Sequence, residues 1–378
     1  MQAVNPAAVA IMWIHEHQNW PEFGWDEQAL TLKLTEIRYR QGLLLGRMAG
    51  LGFELKHEAS LNILTDDVVK SSLIEGEKLN PEEVRSSIAR RLGMDIAGLV
   101  PAGRDVEGIV EMMLDATQNF PQALTKERLF DWHAALFPTG RSGMHRITVG
   151  GWRKPEAGPM QVVSGPIGRE TVHFEAPAAQ RLDEEMNAFL AWFDGRQAVD
   201  PVLKAGIAHF WFVTIHPFED GNGRIARAIG DMALARADES GLRFYSLSSQ
   251  IEAERKQYYR QLERQQSATP DITDWLMWFL DCLGRAIQSA EAALDQVLFK
   301  AQLWNQINLQ PVNERQRRII NRMLEADFEG HINTSKYAKL AKCSNDTALR
   351  DIQELKDRGI LIQNPGGGRS TSYRLAGK

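Results

Sequence analysis

The stretch His216-Pro-Phe-Glu-Asp-Gly-Asn-Gly-Arg-Ile-Ala-Arg227 decides how this chain is read. Before it, residues 200–215 are nearly all apolar (Ile207, Phe210, Trp211, Phe212, Val213), the pattern of a helix buried on every side. After it, helical spacing resumes over 224–237, so the string is a loop between two helices of a mainly α protein. Gly221 and Gly223 permit positive φ and a close approach of backbone to ligand. Successive N–H groups in such a turn make an anion nest, and a helix start adds unpaired donors and a positive dipole end. Arg224 and Arg227 share one helix face, with guanidinium forks shaped for phosphate oxygens. Asp220 is placed to hold Mg2+ against the same phosphates, since that ion takes one or two carboxylates plus phosphate. His216 is the residue whose ordinary pKa lets it accept a proton near neutrality. Each residue alone reads as a solvated loop side chain; together they outline a polyphosphate site with a general base.

The string also resembles the signature of the Fic family, His-x-Phe-x-(Asp/Glu)-Gly-Asn-Gly-Arg-x-x-Arg, at every specified position. The resemblance implies a helical Fic core that moves AMP from ATP onto a Ser, Thr or Tyr hydroxyl of a target protein. It implies His216 as general base on that hydroxyl and Asp220 as the Mg2+ ligand. Gly221, Asn222 and Gly223 would cradle the α- and β-phosphates, with Arg224 near the β-phosphate and Arg227 at the γ-phosphate. Phe218 would anchor the loop in the core.

A second segment, Ser71-Ser-Leu-Ile-Glu75-Gly76, reads by itself as a helix end closed by Gly76, with Glu75 mildly opposing the macrodipole. It resembles the Fic inhibitory motif, (Ser/Thr)-x-x-x-Glu-(Gly/Asn). That resemblance implies a pairing of Glu75 with Arg227 that keeps the γ-phosphate from seating. The segments Trp20-Pro-Glu-Phe23 and Ser86-Ser-Ile-Ala-Arg-Arg-Leu-Gly93 are similar to the N-terminal region of one Fic subgroup.

At 378 residues, two or three domains are expected. With 43% hydrophobic and 25% charged residues the chain is of ordinary soluble globular composition. Cys282 and Cys343 are far apart, which excludes a disulfide framework or zinc spacing and suits a reducing cytoplasm. The apolar run at 7–14 stops at His15-Glu16-His17, too short for a signal peptide, and no stretch approaches the ~18–20 apolar residues of a membrane helix. A cytoplasmic protein with no membrane contact is expected.

Three blocks follow. Residues 1–105 read as a helical N-terminal domain holding the inhibitory helix. Its helices fall at 26–51, 57–75 and 81–92, the last opened by Asn80 and Pro81. Its aromatics Trp13, Trp20, Phe23 and Trp25 read as a small satellite core. Residues 106–300 read as the catalytic core, with helices at 126–137, 178–194 and 200–215 and another, capped by Ser246, that carries Tyr258 and Tyr259. Alternation at 160–163 and 171–174 around the loop 164–168 predicts a β-hairpin. The family resemblance makes 160–174 a flap on which the target peptide docks by strand addition. His133 and His209 fall on apolar faces and read as satisfied core histidines.

Residues 313–378 place helices at 314–325, 334–341 and 346–358, a strand at 359–362, Pro365-Gly-Gly-Gly-Arg369 and a final Ser-Tyr-Arg-Leu strand. This order resembles a winged helix-turn-helix. The block carries 13 Lys/Arg against 8 Asp/Glu in a chain of net charge −5, and Arg350, Lys356 and Arg369 are candidate phosphate contacts. The reading helix also carries Asp346, Asp351, Glu354 and Asp357, so DNA binding, protein contact and homodimerisation all stand open. Three functions are consistent with the whole: a self-inhibited adenylyltransferase, the same site removing AMP with Glu75 orienting a water, and a DNA-binding regulator that senses ATP.

Overall fold

The computed structural model describes residues 12–94, 98–166, 169–309, 311–324, 328, 330–365 and 371–377. Residues 7–11 of the apolar run, the hairpin-loop residues 167 and 168, residue 325, the glycines 366–368 and Arg369 lie outside the described residues. The chain divides into two units, 1–290 and 291–378. In the first lie α1 (Glu27–Ala49), α2 (Phe53–Ile74), α3 (Pro81–Arg91), α4 (Arg104–Gln118) and α5 (Lys126–Leu136). Two antiparallel hairpins follow, β1 (Arg141–Ser142) with β2 (His145–Arg146) and β3 (Gln161–Ser164) with β4 (Thr171–Glu175). Then come α6 (Leu182–Asp194), α7 (Pro201–Ile215), α8 (Asn222–Asp238), α9 (Leu247–Ala253), α10 (Arg255–Gln266) and α11 (Thr273–Leu309), whose residues from 291 onward fall in the second unit. The second unit holds α12 (Glu314–Leu324), α13 (Thr334–Ala341), α14 (Asn345–Asp357) and the antiparallel pair β5 (Leu361–Gln363) and β6 (Tyr373–Leu375). Its core is built from Ile319, Ile320, Ile332, Tyr337, Ile352, Leu355 and Leu375.

The helix starts follow the sequence rules. Asn80 accepts from Glu82 N at 3.0 Å ahead of Pro81, and Asp200 accepts from Val202 N at 2.8 Å ahead of Pro201. Helix α7 is apolar around its circumference and buried from Val202 onward apart from partly buried Lys204. Gly206 lets α11 press against it: a methyl there would lie 2.9 Å from the Phe279 ring. The Trp275 indole N–H donates to the Gly206 carbonyl at 2.8 Å.

The N-terminal aromatics are not a satellite core. Trp20 packs edge-on to Trp211 at 6.3 Å, Phe23 to Phe210 at 6.0 Å, and Trp13 to Phe174 of β4 at 5.5 Å. They join the main core because α7, apolar all round, offers them its own rings. Two helices that sequence spacing did not isolate, α4 and the 37-residue α11, complete the packing, and the predicted helix after Ser246 divides into α9 and α10.

The seam between α2 and α8 is charged. The Arg243 guanidinium is fully buried between Asp231 (2.9 Å) and Asp238 (3.4 Å) of α8. Tyr245 Oη donates to Asp238 at 2.8 Å, and Gln41 of α1 donates to the same carboxylate. Asp67 of α2 accepts from Ser246 Oγ and from Ser248 N at 3.2 Å. Burial, with the Asp231 charge beside it, pushes the Asp67 carboxyl up, and burial does the same to Asp231. Removing a single member of a buried ion cluster leaves uncompensated charge. Arg243→Ala is therefore expected to cost about 3–5 kcal/mol, read as a lowered urea midpoint at unchanged slope.

Candidate active site

Helix α7 ends on His216, which holds left-handed backbone angles (φ +52°, ψ +57°). Such a conformation is costly for a residue with a Cβ, and it turns the chain sharply into the 216–223 loop. The loop is anchored from below. Phe218 is fully buried and stacks on His133 with ring centroids 4.1 Å apart. His133 also reaches the Asp220 carbonyl at 3.2 Å and accepts from Gly150 N at 3.3 Å. Asn222 closes the loop on itself, accepting from Phe218 N at 3.0 Å and donating to Phe218 O at 2.8 Å. Its side chain is thereby committed, and what it offers an anion is backbone. Gly221 stands at φ +82° just before α8, where a methyl would lie 2.9 Å from the Phe137 ring. Helix α8 thus begins two residues earlier than sequence spacing placed it, which brings the free N–H groups of its first turn into the Gly-Asn-Gly stretch.

His216 Nδ1 lies 3.1 Å from the Val213 carbonyl. A carbonyl only accepts, so Nδ1 carries the proton and Nε2 is left as the base. Burial pushes the imidazole down to about 4, only partly offset by the Val213 bond, so the ring is neutral at pH 7. Arg153 sets the ring's backbone: its Nε donates to the His216 carbonyl at 2.8 Å and its Nη2 to the Pro177 carbonyl. Asp220 accepts from Ser142 Oγ of β1.

The two arginines of α8 are both occupied by the chain itself. Arg227, buried to 1% exposure, donates from Nε to Ser71 Oγ and from Nη2 to the Ser71 carbonyl, each at 2.8 Å, and pairs with Glu75 at 2.8 Å. Among the described residues its Nη1 has no hydrogen-bond partner. Arg224 pairs with Glu77 at 2.6 Å and lies over the Phe137 ring at 5.1 Å. Ser71 and Glu75 stand four residues apart on one face of the end of α2, and Gly76 (φ +87°) turns the chain away. The Glu75 carboxylate lies so close over Gly223 that a methyl there would overlap Oε1. Burial pushes Glu77 up, against the pull of Arg224 and with the help of Asp220 and Glu75.

Glu75, His216, Glu219 and Gly223 open onto a cleft of about 650 Å3. Helix α10 contributes Tyr258, Tyr259 and Leu262 to it, and the β3–β4 hairpin contributes Val162, Val163 and Phe174. Tyr258 is buried and paired with His209 at 2.9 Å; Tyr259 is partly exposed and donates to the Ile74 carbonyl at 3.2 Å. His133 is met at both ring nitrogens, as its apolar face suggested. His209 is met at Nε2 by Tyr258, whereas among the described residues its buried Nδ1 has no hydrogen-bond partner.

The residues of the two motifs, Ser71 and Glu75 on one side and His216, Asp220, Gly221, Asn222, Gly223, Arg224 and Arg227 on the other, therefore meet at the junction of α2, α7 and α8. Four contributors were not singled out. Glu77 sits two residues past Glu75, where the run of acids was the available signal. Arg153 and Ser142 lie in a Gly/Pro-rich stretch with no periodicity, and the sequence gives no sign of their target. Glu219, whose Oε1 accepts from Thr148 N at 3.3 Å, falls at an unspecified position of the string.

Comparison with known proteins agrees with this geometry. The model of the Fic/DOC family matches residues 123–234, from just before α5 into α8. A model described as a domain of unknown function, DUF4172, matches residues 13–94. Among curated relatives, protein adenylyltransferase fic-1 of Caenorhabditis briggsae is 28% identical over 169 residues, covering 43% of this chain and 30% of the relative. Protein adenylyltransferase Fic of Nematostella vectensis is 32% identical over 115 residues, covering 30% of this chain and 25% of the relative. The chain thus spans less than a third of the length of these relatives. A crystal structure of a Fic family protein from Desulfovibrio desulfuricans G20 superposes with a TM-score of 0.52 at 20% identity, covering 92% of this chain and 96% of that one. The fold is that of Fic proteins, and the signature loop lies inside the matched Fic/DOC segment.

Arg153→Ala removes two charge-assisted bonds that hold the His216 loop to the segment after β4. It is expected to lower stability by about 1–3 kcal/mol and to displace His216, seen as altered imidazole resonances in NMR spectra.

Proposed function

We propose that the chain is a self-inhibited protein adenylyltransferase that transfers AMP from ATP to a hydroxyl of a target protein. The observation that carries this reading is the double occupation of Arg227 by Glu75 and Arg224 by Glu77 beside an otherwise assembled phosphate nest. A nest, two arginines, a carboxylate and a neutral histidine on one loop and the helix it opens are the requirements of nucleotidyl transfer.

In the released state His216 Nε2 takes the proton of the target hydroxyl. The hydroxyl oxygen forms a bond to the α-phosphorus while the bond from that phosphorus to pyrophosphate breaks. Arg224, Arg227 and the first N–H groups of α8 neutralise the charge that develops on the phosphates. The donor set fits Mg2+: Asp220 is a hard carboxylate beside the Ser142 hydroxyl, and this ion needs one or two carboxylates plus substrate phosphate rather than an all-protein cage. Among the described residues no group of three His, Cys, Asp or Glu stands together as such a cage. Bound there, it would supply charge neutralisation. The β3–β4 hairpin, with Val162, Val163 and Val172 partly exposed, serves as the docking strand for the target.

In the resting state Glu75 fills the space above Gly223 and holds the guanidinium that the terminal phosphate would need. Glu77 is a second restraint on Arg224. Automodification with α-labelled ATP and Mg2+ tests the whole reading. Wild type is expected to label weakly and Glu75→Gly strongly. Glu75→Gly with Glu77→Ala is expected to label more strongly still, and Glu75→Gly with His216→Ala not at all. Equal labelling of wild type and Glu75→Gly would remove self-inhibition by Glu75; label that survives His216→Ala would remove the base.

For residues 313–378 we propose a winged helix that contacts protein rather than DNA. The exposed residues of α14 include Asp346, Glu354 and Asp357 with Leu349 and Arg350. Lys356 is drawn over the Tyr373 ring, Glu354 pairs with Arg358 at 3.5 Å, and Arg350 Nε donates to its own helix at the Asp346 carbonyl (3.4 Å). A net negative face with an apolar centre opposes the phosphate backbone. Fluorescence anisotropy with a labelled duplex is expected to show no salt-dependent binding. A steep loss of affinity with salt would instead establish DNA contact.

A further inference from the structure

The end of α2, the start of α4, the end of α5 and the β1–β2 hairpin border a cavity of about 510 Å3, with Arg224 of α8 in its wall. Among the described residues, none that lines it also lines the cleft of His216. Four cationic side chains surround it, Lys78, Arg104, Arg141 and Arg224, against two carboxylates, Glu77 and Asp105. Lys78 and Arg104 are exposed, and among the described residues neither makes an ion pair. Arg141 donates from Nη1 to the Met144 carbonyl at 3.0 Å, which leaves its other nitrogens for a ligand.

Two polar atoms of this wall are buried and unmet. Ser72 is 0% exposed, and among the described residues its Oγ has no hydrogen-bond partner. The same holds for Nε of Arg224, whose side chain is 5% exposed. A buried donor left unmet costs free energy and calls for an acceptor. The start of α4 adds more donors. Its N-cap is Gly103, which has no side chain to accept from the N–H groups of the first turn. The Asp105 carboxylate leans back over this point, where a methyl on Gly103 would lie 2.5 Å from its Oδ1. Glu77 plays the matching part at Arg224, 2.6 Å away. Burial pushes the Glu77 carboxyl up against the pull of Arg224, and the charges of Asp220, Glu75 and Asp105 add to the push. Each carboxylate thus stands where a stronger anion would gain more.

We propose that this cavity is a second anion site, for a phosphate-class anion of two or more negative charges, which competes with Glu77 for Arg224. The charge follows from the walls, since a ligand must offset two carboxylates before it gains from four cations. Guanidinium forks, a hydroxyl and a helix start on different sides are met together by the tetrahedral oxygens of a phosphoryl group, and not by a planar carboxylate. Free phosphate and a diphosphate share this chemistry. Because Arg224 lies in the first turn of α8, an occupant of the cavity reaches the loop of His216 without entering its cleft. The site stands on these residues alone and does not depend on AMP transfer.

Isothermal titration of the full chain with inorganic pyrophosphate and, separately, inorganic phosphate tests this. Wild type is expected to bind at least one of the two with a Kd below about 1 mM. Lys78→Glu/Arg104→Glu is expected to lose about tenfold or more in affinity, and Glu77→Gln to gain severalfold. The control Lys256→Glu/Arg260→Glu on α10, with the same change of charge, is expected to stay within about twofold of wild type. Circular dichroism verifies the fold of each variant, every altered side chain being exposed. Pyrophosphate about tenfold tighter than phosphate assigns the site to a diphosphate, and closer affinities assign it to a single phosphoryl group. A Kd above about 1 mM for both anions overturns the proposal. So does an equal loss in the two charge-reversal pairs, which is an effect of net charge alone. A Glu77→Gln variant that binds no tighter overturns the competition for Arg224, and if Glu75→Gly then tightens binding, the anion lies in the Gly-Asn-Gly nest instead.

Discussion

The buried guanidinium of Arg227 is the constraint on which the site depends. It is almost wholly out of water, and its partners come from a helix more than 150 residues earlier in the chain, through Ser71 and Glu75. A buried arginine is tolerable only when its donors and charge are met. Whatever occupies the nest must therefore either leave Glu75 in place or supply negative charge of its own. That exchange of one anion for another is a physical basis for a switch. In the proposed self-inhibition it asks only for the withdrawal of one carboxylate at the end of α2.

The seam behind that carboxylate makes the arrangement stiff. Asp67, Ser71 and Glu75 recur every four residues along one face of α2, and Arg224, Arg227 and Asp231 share one face of α8. The lower part of the seam is locked by Arg243 and its carboxylates, all buried. The upper part, Glu75 and Glu77, is the more exposed, and Glu75 opens on the cleft. The same alternation of charge that anchors α2 at depth ends, at the surface, in a carboxylate that lines the cleft. The partly unpaired atoms Arg227 Nη1 and Arg224 Nε mark where donor capacity is left over.

The neutral state of His216 has a similar origin. A histidine held at the end of an apolar helix, with its Nδ1–H on a backbone carbonyl, loses the solvation a proton would need. The low basicity is the cost of placing the ring at the buried end of α7. In return the ring keeps its tautomer and direction, and Arg153 holds its backbone in left-handed angles that the chain would otherwise leave.

Much of this was legible in the chain before folding. The caps at Asn80, Asp200 and Ser246, the apolar run of α7, the β3–β4 alternation and the glycines of the loop follow local rules that act over a few residues. The spacing of Arg224 and Arg227 and that of Ser71 and Glu75 placed each pair on one helix face, and the resemblance to known signatures paired the two helices. Tertiary structure alone decided the rest. It put Glu77 on Arg224, Arg153 on the His216 carbonyl and Ser142 on Asp220, contacts between residues 63 to 147 positions apart that no periodicity encodes. It joined the tryptophan-rich start to α7 and turned Asn222 inward to clamp its own loop. Local sequence selects backbone shape because neighbouring groups meet in any conformation; which distant side chains satisfy one another is settled only when packing removes water and leaves each buried charge a single partner within reach.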